Sequence, residues 1–185
     1  MTVPLLPRSF STARLTLRPF RFEDADDVLA YANDEEWSRY LIGPPYPYQR
    51  SDAVQFLARQ VLADWAVHPT WALAMDDKAI GGINLRFRCD HRVAEIGWSI
   101  HRGLWGQGFA TEGAQAAIGA AFRAHATLSR VGATADARNA PSLRVMEKIG
   151  MRREGTLRQF RLHRGALIDE AFYGLLRSEW EAGEL

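Results

Sequence analysis

The pattern of apolar and polar positions predicts a strand and two helices in the N-terminal third of the chain. The segment "ARLTLRPF" alternates apolar with polar residues, which predicts a strand over 14–19. "FEDADDVLAYAND" carries acidic residues in the first turn of a predicted helix, where the helix dipole favours them. Three prolines exclude regular structure from 43–49, and Ser51 is predicted to cap a second helix, "DAVQFLARQVLADWAV".

From Trp71 onward the pattern becomes typical of strands. Three runs, "WALAM", "AIGGINLRF" and "VAEIGWSI", are joined by the short turns "DDK" and "CDHR", which predicts an antiparallel meander. The Ala-rich run "TEGAQAAIGAAFRAHA" predicts a helix, "RVGATAD" predicts a strand, and Asn139 opens a helix that ends near Gly150. "TLRQFRL" and "DEAFYGLL" are predicted to form a last hairpin around the turn "HRG".

This order of elements indicates one α/β (α+β) domain spanning 1–185. We expect a mixed, mostly antiparallel sheet of about six or seven strands, flanked by about four helices. The chain is 47% hydrophobic and 24% charged with a net charge of +1, so charge gives no argument for nucleic-acid or membrane partners. No apolar segment reaches the length of a membrane span, and "MTVPLLPRSF" lacks the features of a secretory leader, so we expect a cytoplasmic protein.

Cysteine and histidine usage predicts neither a disulfide nor a metal site. Cys89 is the single cysteine, and a lone cysteine is more often a small packed residue than a nucleophile. The five histidines show no i, i+4 or H-x-H spacing.

A glycine-rich loop, "HRGLWGQGFATEG", lies between the last strand of the meander and the Ala-rich helix. Main-chain N–H groups of such a loop, together with a helix N-terminus, form an anion site. A P-loop is excluded, because Phe109 and Ala110 stand where Lys and Ser or Thr are required. A dinucleotide fold, and with it an oxidoreductase, is disfavoured, because Thr111 replaces the third glycine and short hairpins precede the loop. A turn that only reverses the chain remains an alternative.

"LWGQGFATEG" resembles the acetyl-CoA loop of the GNAT N-acetyltransferases, and within them is most similar to the branch of the ribosomal-protein alanine and serine N-acetyltransferases. The resemblance covers nearly the whole chain, through "RLTLRPFRFEDADDV", "IGGINL", "AEIGWSI", "ADARNAPSLRVMEKIGMRREG" and "DEAFYGLLRSEW". It implies the GNAT fold, in which the fourth and fifth strands, here 93–100 and 130–136, splay apart to admit the pantetheine arm.

The resemblance implies an acetyl-CoA site on the glycine loop. The family pattern Gln/Arg-x-x-Gly-x-Gly/Ala aligns with 105–110, where Trp105 departs at the first position and has an aromatic that this branch often carries. A main-chain N–H near Ile100 would polarise the thioester carbonyl. The implied cofactor-binding residues are Ile100, Arg102, Trp105, Gly106, Gln107, Gly108, Phe109, Ala110, Thr111, Asn139 and Ser142.

Three side chains are candidate catalytic groups for acyl transfer from a thioester to an amine. Strand alternation places Glu95, Gly97 and Ser99 on one face, and the resemblance implies that Glu95 is the general base. A solvent-facing or substrate-orienting glutamate is the alternative. Asn139 is a favoured N-cap, and the resemblance adds a hydrogen bond to the pantetheine arm. The resemblance also implies that Ser142 protonates the departing thiolate, with helix capping alone as the alternative.

The candidate acceptor-binding residues are Trp37, Tyr40, Tyr46 and Tyr48 in "WSRYLIGPPYPYQR", with the last hairpin as an opposite wall. An ordered aromatic connection is the alternative. The implied function is an acetyl-CoA-dependent N-acetyltransferase without a metal, which acetylates a primary amine of a protein N-terminus or a small molecule by direct transfer. A succinyl- or other acyl-CoA donor, and a non-catalytic coenzyme A sensor module, remain alternatives. A homodimer is common in this branch.

Overall fold

One eight-stranded sheet organises residues 5–183, the part of the chain that the computed structural model describes. The first four residues of "MTVPLLPRSF", the segment that we expect not to be a secretory leader, lie outside that range. The strands are β1 (Phe10–Ser11), β2 (Thr16–Pro19), β3 (Thr70–Met75), β4 (Lys78–Arg88), β5 (Val93–Ile100), β6 (Arg130–Asp136), β7 (Arg152–His163) and β8 (Ala166–Leu176). Their spatial order is β1-β2-β3-β4-β5-β6-β8-β7, with β5–β6 parallel and the other pairs antiparallel.

Helices cover both faces of this sheet. Within the described range they are α1 (Ala25–Ala32), α2 (Glu35–Ser38), α3 (Arg50–Leu62), α4 (Phe109–Ala124), α5 (Ala140–Lys148) and α6 (Arg177–Glu181). The predicted fold class is confirmed, but the strands exceed the expected six or seven and the helices exceed the expected four or so. The additional β1, α2 and α6 have two, four and five residues, too few to show a hydrophobic period.

Helix α3, which corresponds to the predicted second helix, differs from its prediction at both ends. Ser51 is not the cap, because α3 begins one residue before it. Gln49 is the N-cap, and its main-chain N–H donates to the Asp52 carboxylate at 2.8 Å. The helix ends at Leu62, because the Asp64 side chain accepts the Ala66 N–H at 3.0 Å and supports a turn instead.

Two apolar clusters hold the layers together. One lies between the sheet and α4, where Leu73, Ile83 and Phe122 are fully buried. The other lies on the opposite face, beneath α1 and α3. The Ala- and Gly-rich sequence of α4 has a packing reason, since a Cβ at Gly113 would lie 2.8 Å from side-chain atoms of Leu73 and Ile83.

The sheet opens between β5 and β6. These strands pair over only three residues each, Val93–Glu95 against Arg130–Gly132, although β5 continues to Ile100 and β6 to Asp136. The other edge of β5 is paired with β4 along its whole length. The splay that the resemblance implied is therefore present, and it leaves main-chain groups of both strands unpaired beside a gap.

Candidate active site

The glycine loop delivers free N–H groups at the start of α4. Gly106 and Gly108 have φ of 76° and 84°, in the left-handed region that glycine adopts without strain. Gly108 is the N-cap and has no side chain with which to satisfy the first turn. The leading N–H groups of this 16-residue helix therefore lack intrahelical acceptors, and the helix dipole favours an anion there.

Glu112 stabilises this loop through hydrogen bonds, a role that the sequence did not predict. Its carboxylate accepts from Thr12 Oγ1 and from Arg14 Nε, both at 2.6 Å. Arg14 also donates to the Gln107 carbonyl at 2.9 Å and lies 4.3 Å over the Phe109 ring. Burial acts to raise the pKa of Glu112, but these hydrogen bonds outweigh it and lower that pKa. The partners are about a hundred residues apart, so no local pattern signals the contact.

A groove of about 310 Å³ runs between the loop, the end of β5 and α5. Most of the predicted cofactor-binding residues line it. They are Ile100, Trp105, Gly106, Gly108, Phe109, Ala110, Thr111, Asn139 and Ser142. Arg144 and Lys148, which the sequence analysis did not single out, also line the groove and bring positive charge to it.

Two predicted cofactor-binding residues do not line the groove. Arg102 is directed to the Asp34 carboxylate, to which its Nε donates at 2.6 Å. The side chain of Gln107 donates to the Gly103 carbonyl at 3.3 Å, so it supports the loop itself.

The unpaired edge of β5 forms one side of this groove. The His101 N–H donates to the Ile80 carbonyl at 2.7 Å, so strand alternation turns the N–H groups of Trp98 and Ile100 toward the gap beside β6. The Ile100 carbonyl is occupied by the Trp105 indole N–H at 2.7 Å. Trp105, the departure from the family pattern, thus occupies the last main-chain acceptor at this end of the edge.

Asn139 and Ser142 stand at the start of α5. The Asn139 side-chain oxygen accepts the Ser142 N–H at 3.3 Å, which confirms the predicted N-cap. Both residues line the groove and a second, larger cleft. The Ser142 hydroxyl has no hydrogen bond with any described residue, so it is available to a ligand.

This second cleft, of about 1130 Å³, lies on the sheet face that carries Asn84, Ser99 and Thr134. Of the predicted aromatics, Trp37, Tyr40 and Tyr48 line it. Burial raises the pKa of Tyr48 to about 12. Trp37, Tyr40 and Ser99 also line the groove, so groove and cleft meet at these residues and at the start of α5.

Two further aromatics depart from the prediction. Tyr46 does not line the cleft, and its side chain is 48% exposed. Tyr31 was not predicted, yet it lines the cleft and is buried, and burial raises its pKa. Tyr31 lies on an amphipathic helix, and the sequence pattern there predicted only a packed core residue.

Glu95 lies on the same sheet face as Ser99 but outside both cavities. Its half-exposed carboxylate accepts from Arg88 at 2.8 Å. At the usual rise of a strand, the Cα atoms of Glu95 and Ser99 are about 13 Å apart. The last pair of the parallel ladder is Glu95 with Gly132, and counting four residues on from it gives Ser99 and Asp136 on the two sides of the gap.

Two buried carboxylates, each ion-paired with an arginine, line the wall of the cleft formed by β6, β7 and β8. Asp136 and Glu170 are directly opposite each other in the β6–β8 register, with side chains only 1% and 4% exposed. Arg138 binds Asp136 through two guanidinium hydrogen bonds of 2.7 and 3.0 Å. Arg161 binds Glu170 at 2.7 and 2.8 Å. The Arg138 hydrogen bonds lower the pKa of Asp136.

The bridging segment, residues 34–40, connects the glycine loop to the last hairpin. Asp34 holds Arg102 of the loop, and its pKa is lowered by the Trp37 main-chain N–H and by that arginine. At the other end, Arg164 donates to the Ser38 hydroxyl at 2.9 Å, and His163 is 2.8 Å from the Arg39 carbonyl oxygen.

Three other features were sought in residues 5–183: a metal site, a membrane-spanning helix and a cysteine in either cavity. No group of three or more His, Cys, Asp or Glu side chains there could hold a metal ion. No helix in that range has the length and apolar character needed to cross a membrane. Cys89 is exposed in the turn between β4 and β5 and lines neither cavity.

Comparisons with known proteins agree with this geometry. The acetyltransferase (GNAT) domain matches residues 14–152. An uncharacterised N-acetyltransferase of Bacillus licheniformis, p20, is 33% identical over 173 residues, which are 91% of this chain and 96% of that protein. A GNAT-family acetyltransferase from Bacillus anthracis superposes with a TM-score of 0.82 at 30% identity and covers 92% of this chain and 99% of its own.

A more distant structure shares the fold. RimJ of Mycobacterium smegmatis, solved in complex with CoA-disulfide, has a TM-score of 0.77 at 22% identity, over 89% of this chain and 83% of its own.

Proposed function

We propose that this chain, which belongs to the GNAT family of N-acetyltransferases, transfers an acetyl group from acetyl-CoA directly to a primary amine. The amine belongs to a protein N-terminus or to a small molecule. The observation that carries the proposal is the meeting of groove and cleft beside Ser99 and the start of α5. A thioester in the groove and an amine in the cleft would arrive at the same point, which is the main requirement of direct transfer.

The residues of the groove fit acetyl-CoA along its length. The diphosphate fits the N–H groups of the loop and of the first turn of α4, and Arg144 and Lys148 add favourable charge. The pantetheine arm fits the unpaired edge of β5, where the N–H groups of Trp98 and Ile100 would donate to it. The Asn139 amide would donate from the opposite side.

The chain's own groups account for the steps of the reaction. The Ile100 N–H polarises the thioester carbonyl, the amine nitrogen bonds to that carbon, and the carbon–sulfur bond breaks. Ser142 gives its hydroxyl proton to the departing sulfur and recovers a proton from the nitrogen as the amide forms. A covalent acyl-enzyme is not part of the proposal, because Cys89 lies outside both cavities.

Glu95 is the proposed general base, and it acts through water. Its carboxylate is on the cleft face of the sheet but too far from Ser99 to touch an amine there. Glu95→Gln should lower turnover at neutral pH while the affinity for acetyl-CoA stays the same. Steady-state kinetics with a calorimetric Kd would test this. Unchanged turnover would remove Glu95 from the role, and Glu154→Gln, an ion-paired glutamate outside the cleft, is the matched control.

A thermal-shift series tests the proposed function as a whole. Acetyl-CoA, succinyl-CoA, coenzyme A and NAD are compared at matched concentrations. A ligand at about a hundred times its Kd stabilises the native state by about 2.7 kcal/mol, which raises the Tm of a chain of this size by several degrees. Stabilisation by the coenzyme A series without NAD is the expected result, and stabilisation by NAD alone would refute it. The order of the acyl groups would identify the donor.

A further inference from the structure

The wall of the acceptor cleft contains two buried carboxylates with unused acceptor capacity. Each oxygen of Glu170 accepts one hydrogen bond, both from Arg161. In Asp136, Oδ2 likewise accepts one, from Arg138. A carboxylate oxygen accommodates about two donors. Both carboxylates line the cleft, so the open positions are available to donors on a ligand.

Each of the two carboxylates is paired with its own arginine. Like charges directly opposite in a sheet destabilise it, but here each carboxylate has its own guanidinium partner. Arg138 and Arg161 are 67% and 41% exposed, whereas the carboxylates are buried. The carboxylates are therefore the buried members of the two pairs, and of the two arginines Arg161 also lines the cleft.

An independent observation on the facing segment points to a ligand. Trp37 is 8% exposed and lines both the groove and the cleft. Its Nε1–H is buried and has no hydrogen-bond partner among the residues that the structure describes. An unpaired buried donor is unfavourable, so an acceptor atom from a ligand would relieve it. The neighbouring Ser38 is bonded to Arg164 of the hairpin that carries Glu170, which places the two features on facing sides.

We infer that Glu170 and Asp136 receive the ammonium group of the acceptor, and that Trp37 Nε1–H donates to a carbonyl oxygen next to it. This inference rests on the proposed function. The acceptor is then an α-amino carbonyl compound, such as a peptide N-terminus or an amino-acid amide. Polyamines and aminosugars with no such carbonyl are disfavoured.

The position of the carboxylates suits this role. Asp136 lines the cleft and, counted on from the Glu95–Gly132 pair, corresponds to Ser99 across the gap, and Ser99 lines both groove and cleft. An ammonium group has three donors, and two carboxylates with open positions can accept them. The nitrogen held there would lie next to the thioester end of the groove.

Three probes separate the two contacts. Phenylalaninamide carries both the ammonium group and the carbonyl, phenethylamine has only the ammonium group, and 3-phenylpropanamide has only the carbonyl. Each is titrated calorimetrically into the full chain with coenzyme A at saturation. Phenylalaninamide should bind at least about tenfold more tightly than either single-contact probe.

Two variants assign each contact to its residue. Glu170→Gln should weaken the binding of phenylalaninamide and of phenethylamine about tenfold and leave the binding of 3-phenylpropanamide unchanged. Trp37→Phe should weaken the binding of phenylalaninamide and 3-phenylpropanamide, which carry the carbonyl, and leave the binding of phenethylamine unchanged. Glu154→Gln, which breaks an exposed pair with Arg130 outside the cleft, should change none of them. If Glu170→Gln does not fold, the double variant with Arg161→Gln removes both charges of the pair together.

The outcomes distinguish this inference from the proposed function. Equal affinities for the three probes, no binding of any probe while coenzyme A binds, or a uniform loss in every variant would each overturn the inference and leave the acetyltransferase proposal standing. A loss of acetyl-CoA affinity in Trp37→Phe with probe discrimination intact would also overturn it, because the indole would then serve the donor. Failure of coenzyme A itself to bind would overturn both.

Discussion

His125 is a buried titratable residue at the end of α4, away from the site. It stacks on His91 with ring centroids 5.0 Å apart and planes inclined by 17°. The helix dipole would favour a cation at this C-cap, but burial lowers the pKa of His125, and His91 acts in the same direction. The neutral imidazole is therefore the form that the fold accommodates.

We expect the free energy of unfolding to decrease as the pH falls below about 6.5. His125 takes up its proton near that pH in the unfolded chain and only at lower pH in the folded one, so the unfolded state binds more protons in this window. The loss begins at the unfolded pKa and is complete at the folded pKa. Thermal midpoints between about pH 5 and 8 should show it, and His125→Phe should flatten the slope. The exposed His68→Gln is the control, and an unchanged slope in His125→Phe would contradict the assignment.

Residue roles could be predicted from the sequence where they depend on near neighbours. Gly106 and Gly108 act through their own φ angles, and Asn139 caps a residue three positions away, so local sequence was enough. Glu112 and Asp136 were missed. Glu112 is held by side chains from the connection between β1 and β2, and Asp136 gains its importance from Glu170 on another strand.

At the scale of elements, the antiparallel pair β4–β5 is the frame of the site. Gly81 is paired with Ile100, and a Cβ at Gly81 would lie 2.1 Å from the Ser99 carbonyl oxygen. That oxygen belongs to the main chain of β5, so it cannot move away without disturbing the ladder. The close approach of the two strands at the groove therefore requires glycine at this position.

Gly81→Ala should lower the free energy of unfolding by at least about 2 kcal/mol, because the strands must separate to admit the methyl group. Urea unfolding followed by circular dichroism measures the change. Gly155→Ala on β7 is the matched control, since a Cβ there meets nothing within 4 Å and φ is ordinary. Equal midpoints for the two variants would refute the steric argument.

Elements were predicted well where at least one face is buried and poorly where both are exposed. In the meander β3 is buried on both faces and β4 and β5 partly alternate, and all three strands appear within one residue of their predicted bounds. β7 begins at Arg152, four residues before its prediction, because its first residues are exposed on both faces and show no period. β8 likewise begins at Ala166, before the predicted Asp169.

At the scale of the whole molecule, the bridging segment connects the elements that form the groove and the cleft. It holds the glycine loop through Asp34 and the last hairpin through Ser38, and it presents Trp37 between them. A ligand that orders the loop should therefore also order the roof of the acceptor cleft. Order of this kind would favour binding of acetyl-CoA before the amine.

Hydrogen exchange tests this coupling. Acetyl-CoA should slow the exchange of main-chain N–H groups in residues 34–40, and Asp34→Asn should reduce that protection while loop protection persists. Asp26→Asn, which removes an exposed pair with Arg50 far along the chain from the loop, serves as the control. Protection of the segment in Asp34→Asn equal to that of the unaltered protein would argue against the coupling.

The sheet's opening illustrates what sequence reasoning could reach only through the family resemblance. β5 and β6 are separated by the glycine loop and α4, and nothing in either strand's pattern says that pairing stops after Glu95. Pairing of distant strands depends on the whole fold, so periodicity could predict both strands but not the gap between them.

Cys89, exposed in the β4–β5 turn, gives the molecule one natural attachment point. From this turn β5 runs to Ile100 at the groove, a distance of about 25 Å along the strand. A maleimide tether at this thiol would anchor every molecule to a sensor chip through one point, at the end of the β4–β5 pair that is remote from Ile100 and the groove. Surface-based titrations of donor and acceptor would then need no engineered cysteine.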